Sequence, residues 1–183
     1  MNHLGSKTLE TNRLVLKKDT DGDKELLWKY MFSDKEAVKA CNWVDFGSKE
    51  EFLNLKYEIP NNVYNWTIWL KDKNIPIGGI SIHHQEDDYY HAEVGYSINP
   101  KYWGLGYASE ALEKVLDFLI NEVGYERISG ECRLDNIASK KVMEKCDMKL
   151  EGIKRKSYYK EGIFYNNYLF SKIKEDYNQH YKV

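Results

Sequence analysis

The run from Glu93 to Gly124, EVGYSINPKYWGLGYASEALEKVLDFLINEVG, constrains the fold more than any other part of this 183-residue chain. It opens with a strand-like alternation, Ala92 to Ile98, which Asn99-Pro100 ends. Ala108, Ala111, Leu112, Val115, Leu116, Leu119, Ile120 and Val123 then recur at i, i+3, i+4, i+7 spacing and predict an amphipathic helix. Gly124 stands where that helix needs a C-cap. Gly104 and Gly106 fall just before the helix. Glycine there admits close backbone approach, and a helix start presents unpaired N–H groups with a partial positive charge. Strand, glycine turn and helix N-terminus together suit a phosphate. A P-loop is excluded because no lysine follows Gly106, and a dinucleotide fingerprint is excluded because Ser109 stands at its third small position. The same two glycines could also serve only to tighten a strand–helix junction.

Around this run the pattern is mixed α/β. Strands are predicted at Arg13 to Lys18, Asn65 to Leu70, Ile77 to His83 and Arg127 to Arg133, with a turn at Asp72 to Asn74. Ile153 to Tyr159 and Phe164 to Ile173 read as a closing hairpin. Helices are predicted at Asp23 to Phe32 with Asp23 as N-cap, from Ser48 with a Ser48–Glu51 capping box, and at Ile137 to Lys145. Pro60, Pro76 and Pro100 sit where elements begin or end. The length suits one domain over residues 1–183.

Charge and composition narrow the function classes. Basic residues number 27 and acidic ones 29, for a net charge of −2, which argues against nucleic acid as a partner. No apolar run approaches the ~20 residues of a membrane span. Cys41, Cys132 and Cys146 are odd in number and lack C-x-x-C spacing, which points to reduced thiols in the cytoplasm and no secretory leader. His83, His84 and His91 lack a carboxylate or thiolate at metal-ligand spacing, so no metal is expected.

Trp103-Gly104-Leu105-Gly106-Tyr107-Ala108 resembles the acyl-CoA-binding turn R/Q-x-x-G-x-G/A of the GCN5-related N-acetyltransferase (GNAT) superfamily, with Trp103 replacing the Arg or Gln. The resemblance continues in order through ETNRLVLK (Glu10 to Lys17), IPIGGISI (Ile75 to Ile82), AEVGYSI and RLDNIASKKVMEKCDMKLEG (Arg133 to Gly152). The last segment, with its N-x-x-S helix and L-E-G turn, is similar to the ribosomal-protein N-terminal acetyltransferase (RimJ/RimL-like) branch. Cys146-Asp147-Met148 stands where that branch usually has Leu-Gly-Phe. The resemblance implies a central, mostly antiparallel twisted sheet, splayed between the family's fourth and fifth strands, with helices on both faces. It also implies acetyl-CoA as co-substrate, an amine acceptor, and the homodimers that relatives often form.

Site roles follow from the resemblance. Backbone groups near Tyr96, Ser97 and Ile98 would hold the pantetheine, and Trp103 to Ser109 (with Gly104, Leu105, Gly106, Tyr107 and Ala108) would cradle the pyrophosphate. Asn136 would bond the pantetheine arm, and Ser139 would sit near the sulfur and could protonate the departing thiolate, since Met143 replaces the usual tyrosine. From the residues alone, Asn136 is equally a helix cap. Glu93 and Glu131 are the candidate general bases, and Glu131 is alternatively the ion-pair partner of Arg133 on the same strand face. Trp28, Trp43, Phe46, His84 and Tyr158 are candidates for the acceptor wall, with Tyr57 beside them, although most large aromatics are expected in packing. Trp66 and Trp69 are expected on opposite faces of their strand, at least one of them in the core. The run Lys154-Arg155-Lys156 reads as a solvated hairpin face.

The leading expectation is acetylation of a protein or peptide α-amine. Alternatives are a small-molecule amine (an antibiotic, polyamine or amino-acid derivative) and a CoA-binding module without turnover.

Overall fold

The structure is a computed structural model that describes residues 1–56 and 63–180; Tyr57 and Pro60 lie outside them. Eight strands follow the order β1-β2-β3-β4-β5-β6-β8-β7 in one sheet. The chain divides into two compact units, the first comprising His3–Ser81 and Tyr96–Lys114, and the second Met1–Asn2, Ile82–Gly95 and the chain from Val115 onward.

In the first unit β1 (Leu9–Glu10), β2 (Leu14–Lys17), β3 (Asn65–Leu70) and the start of β4 (Ile75–Glu86) pair antiparallel. Leu14, Leu16, Trp66, Ile68 and Ile77 are fully buried from water. Trp66 and Trp69 are both buried because β3 is covered on both faces: Trp66 stacks on Tyr64, with ring centres 5.8 Å apart, and the β3–β4 register slip places its extra residue, Ile77, on β4 and leaves the β3 alternation intact. Trp69 joins Leu27, Met31 and Phe52 in a cluster that Trp28, Phe32, Trp43 and Phe46 close.

The helix predicted over Asp23 to Phe32 is a short α1 (Lys24–Leu27) that widens into a π-helical turn, Trp28–Phe32. Asp23 does not cap it. Its carboxylate instead accepts from Thr20 N and Oγ1, at 2.9 and 2.8 Å, and closes the preceding 3-10 turn. The Ser48–Glu51 capping box is present at the start of α3 (Lys49–Asn54). The sequence reading missed α2 (Lys35–Cys41), which begins with Asp34 accepting from Ala37 N at 3.2 Å and ends on Asn42 at φ 54°.

β5 (His91–Ile98) runs from the second unit into the first, where a Cβ added at Gly78 of β4 would lie 2.2 Å from Ser97 O. That contact requires glycine in the G-G pair of IPIGGISI. The long predicted helix is α4 (Tyr107–Asp117) continued by a π-helical segment, Phe118–Val123, and Gly124 closes it at φ 96°.

The second unit holds β6 (Arg127–Arg133), α5 (Ile137–Lys145), β7 (Lys149–Lys160), β8 (Ile163–Ile173) and α6 (Lys174–His180). β5 and β6 are parallel for three pairs only, His91↔Arg127 to Glu93↔Ser129. β6 pairs antiparallel with β8 along its whole length, and β8 with β7. Ile128 and Cys132 are buried, and Met143 of α5 would be 3.5 Å from a Cβ on Gly130, so α5 covers the even-numbered face of β6. The odd-numbered face is polar. Asp147 adopts φ 58°, the left-handed conformation a glycine would supply there; an aspartate tolerates it better than most residues.

Candidate active site

The glycine turn belongs to the first unit. Asn99, 2% exposed, sets its start: its N–H bonds Ile77 O at 2.8 Å, its Nδ2 bonds Tyr30 O at 2.9 Å, and its Oδ1 accepts from Lys101 N at 3.0 Å. Gly104 and Gly106 have φ 73° and 82°, left-handed values that explain both glycines. A Cβ at Gly104 would meet nothing within 4 Å, so the turn is open on that side. α4 begins immediately after it, and its first-turn N–H groups (Tyr107, Ala108, Ser109) have no carbonyl one turn earlier within the helix. These are the features a pyrophosphate needs: backbone donors, a helix start, and no side chain at the point of approach.

Trp103 replaces a basic side chain here. Its indole N–H donates to Ile98 O while the residue stays 56% exposed. The cation at the turn comes from Arg13 instead, a residue the sequence reading did not single out. Its Nη1 donates to Leu105 O at 3.0 Å, its guanidinium lies 4.4 Å from the centre of the Tyr107 ring, and it pairs with Glu110 at 2.6 Å. Burial pushes the Glu110 carboxyl up, but hydrogen bonds from Thr11 and Arg13 outweigh it and hold the group below its ordinary range. The segment before β2 thus straps the first turn of α4.

Trp43 and Ser97, assigned to acceptor and cofactor respectively, meet in the structure, with Trp43 Nε1 donating to Ser97 Oγ at 2.6 Å. Tyr96 and Ser97 are half-buried and Ile98 is buried. Cys41 Sγ donates to Ile98 O at 3.2 Å, and burial pushes its thiol up to about 12, so Cys41 is no nucleophile. Trp28 and Phe46 pack: Trp28 against Phe52, and Phe46 against Phe32 and Phe52, with ring centres 5.0–5.9 Å apart.

The two candidate bases lie in the second unit on one face of the sheet, since Glu93 is paired with Ser129 and Glu131 lies two residues on. Glu131 does not pair with Arg133. Arg133 binds Asp135, at 2.8 Å through Nε, while Glu131 takes Lys154 Nζ on Oε1 and Asn167 Nδ2 on Oε2, the latter at 3.0 Å. The sequence reading left Lys154 on a solvated face because the partner strand and its register are invisible in one dimension. Lys154 faces Asn167, and Asn167 faces Arg133, so all four side chains share the polar face.

Ser139 is elsewhere: it hydrogen-bonds Cys132, on the opposite face of β6 from Glu131. Asn136 caps α5, with Oδ1 accepting from Ser139 N at 3.1 Å, so its side-chain oxygen is committed and its Nδ2 is the group left to consider for a ligand. Tyr158 lies against Tyr165, with ring centres 6.1 Å apart, and Arg133 covers Tyr165 at 4.4 Å. His84 is exposed and bonded to Glu86 at 2.9 Å. Among the described residues no group of three His, Cys, Asp or Glu could hold a metal ion, and no helix is long and apolar enough to cross a membrane.

Comparison with known proteins shows the family. The acetyltransferase (GNAT) domain family matches residues 13–149. The uncharacterized N-acetyltransferase YoaA of Bacillus subtilis is 30% identical over 172 residues, covering 91% of this chain and 96% of YoaA. A crystal structure of a GNAT-family acetyltransferase from Bacillus anthracis has a TM-score of 0.75 at 28% identity, covering 92% of this chain and 99% of that one. The ribosomal-protein-S5-alanine acetyltransferase of Vibrio fischeri shares the fold, with a TM-score of 0.73 at 19% identity over 93% of this chain and 98% of its own. The chain therefore belongs to the GNAT superfamily and is an acetyl-CoA-dependent N-acetyltransferase.

Proposed function

We propose that this enzyme acetylates a protein or peptide N-terminal α-amine, with Glu131 as the proton acceptor. The observation that carries this reading is the state of Glu131: both carboxylate oxygens are already hydrogen-bonded, one by an ammonium. Its remaining lone pairs can still accept a hydrogen bond, and then a proton, from an arriving ammonium. A carboxylate takes that proton more readily from an α-amine than from a lysine side chain. An α-amino group, with pKa ≈ 7.7–8.0, is roughly a tenth neutral at pH 7, whereas a lysine side chain near 10.4 costs about 3.5 kcal/mol more to deprotonate.

In the reaction the acceptor nitrogen attacks the thioester carbonyl carbon, the carbon–sulfur bond breaks, and the amine proton leaves on Glu131. CoA departs as the thiolate and takes a proton from solvent passed through the Ser139 hydroxyl, the proposed donor, while the proton on Glu131 returns to solvent. In the first unit residues 103–109 would hold the pyrophosphate and Tyr96 to Ile98 the pantetheine through backbone groups; in the second, Asn136 would contact the pantetheine arm. Glu93, paired with Ser129 at the end of the β5–β6 ladder, adds negative charge that favours a cationic acceptor. Trp43, half-buried and anchored on Ser97, is the aromatic assigned to the acceptor side.

The test is thiol release from acetyl-CoA against a panel: peptides with free α-amines, the same peptides N-blocked but carrying a lysine, a polyamine and an aminoglycoside. The free α-amines should give the highest kcat/KM, and Glu131→Gln should lower it at least tenfold. Preference for the polyamine or aminoglycoside would move the assignment to a small-molecule acceptor. Tight acetyl-CoA binding without turnover on any amine would make the protein a binding module.

A further inference from the structure

We infer that Lys154 is a positioning residue for acetyl transfer: its ammonium occupies Glu131 in the free enzyme, and the acceptor's ammonium takes over that hydrogen bond in the productive complex. The inference rests on Glu131 being the proton acceptor.

The backbone around Lys154 is built to present it. β7 and β8 are in register at Lys154↔Asn167, and the register then slips before Tyr158. Within the slip Lys156 takes φ 50°, its N–H bonds Asn166 Oδ1 at 2.8 Å, and Ser157 Oγ bonds Lys154 O at 3.3 Å. This bulge pins the Lys154 carbonyl and re-aims the strand beyond it. Both Lys154 and Asn167 therefore converge on Glu131 from neighbouring strands.

Exposure orders the two charged groups. The Glu131 side chain is 13% exposed and that of Lys154 49%, so the lysine reaches over a recessed carboxylate from the solvent side. A half-exposed ion pair is weak enough for an arriving ammonium to displace. Glu93 also faces Lys154 and contributes to holding its ammonium charged.

The charges facing Glu131 are Glu93 on β5, Lys154 on β7 and Arg133 on its own strand, the last tied to Asp135; β8 supplies the neutral Asn167. Two carboxylates thus share one ammonium, and a second ammonium, the acceptor's, completes the balance. An acceptor bearing a carboxylate beside its amine would disturb it. Lys154 and Asn167 lie beyond residue 149, where the family match ends.

The test compares Lys154→Met, Lys154→Arg and Glu131→Gln in the full chain, with kcat and KM for an α-amine peptide measured from pH 5.5 to 9 at saturating acetyl-CoA. Thermal melts confirm folding. Removing the ammonium takes a positive charge away from beside the carboxylate, so the acid limb of kcat/KM should move to higher pH in Lys154→Met. KM for the peptide at pH 7, where the amine is mostly ammonium, should fall because a competing cation is gone. Lys154→Arg should keep the parental acid limb. An acid limb in Lys154→Met that coincides with the parent, while Glu131→Gln is inactive, overturns the role of Lys154 alone. A Glu131→Gln variant with parental activity and pH profile overturns the assignment of the base and the inference with it.

Discussion

Replacing Gly104 by alanine separates what the glycine turn needs for folding from what it needs for its ligand. At φ 73° an L side chain costs roughly 1–2 kcal/mol, and the stiffer unfolded chain returns about 0.4–1 kcal/mol of that. No clash adds to it, because a Cβ there meets nothing within 4 Å. The net loss is about 1 kcal/mol, a fall in Tm of about 2–4 °C for a chain of this size. The ligand pays more. A methyl group on the open side of the turn stands where a phosphate oxygen must approach, and losing one charge-assisted hydrogen bond of ~1.5–3 kcal/mol weakens acetyl-CoA about 10- to 150-fold. Gly162, at φ 82° in the β7–β8 turn and also open within 4 Å, is the matched control: Gly162→Ala carries the same backbone cost and should leave the affinity alone. The assay is calorimetric titration of acetyl-CoA beside melts of the ligand-free variants. If Gly104→Ala loses its few degrees and still binds within twofold of the parent, the turn is not the phosphate site.

Two further outcomes concern stability. Gly78→Ala drives a Cβ to 2.2 Å from Ser97 O and 2.9 Å from Ile98 Cα, both of them backbone, so β4 and β5 must separate; urea titration should show a loss of about 3 kcal/mol, and a loss below 1 kcal/mol would show that the strands yield freely. Glu151 is held down to about 2, chiefly by the hydrogen bonds from Arg127, against opposing burial and with help from Ser171 at 2.6 Å. A carboxyl lowered by folding stabilises above its unfolded pKa of about 4.3 and loses that contribution as pH falls toward 2. The stability gap between the parent and Glu151→Gln should therefore be constant from pH 8 to 5 and close below pH 4; a gap independent of pH down to pH 2.5 contradicts the pairing.

The elements legible in the sequence are those whose local signals agree. Asn65–Leu70, Arg127–Arg133 and Ile137–Lys145 match their expected bounds, and in the last the Asn136 cap marks the start. The first helix was misjudged because its apolar spacing fits an α-helix while packing of Trp28 and Phe32 onto Phe52 widens it to a π-turn. α2 was missed since seven residues carry too little periodicity to register.

For the site, the sequence alone determined the glycine turn, because positive φ values and a helix start depend on residues adjacent in the chain. The partners of Glu131 were decided only by tertiary structure. Lys154 and Asn167 stand 23 and 36 positions away, and the β6–β8 and β8–β7 registers, with a bulge in the second, choose which side chains share a face. A slip of one residue in either register would turn Asn167 or Lys154 to the other side of the sheet. The same reasoning accounts for Arg13, whose guanidinium meets α4 across 97 residues of chain. Local chemistry wrote the glycine turn, and long-range strand registry placed the charges around the proposed base.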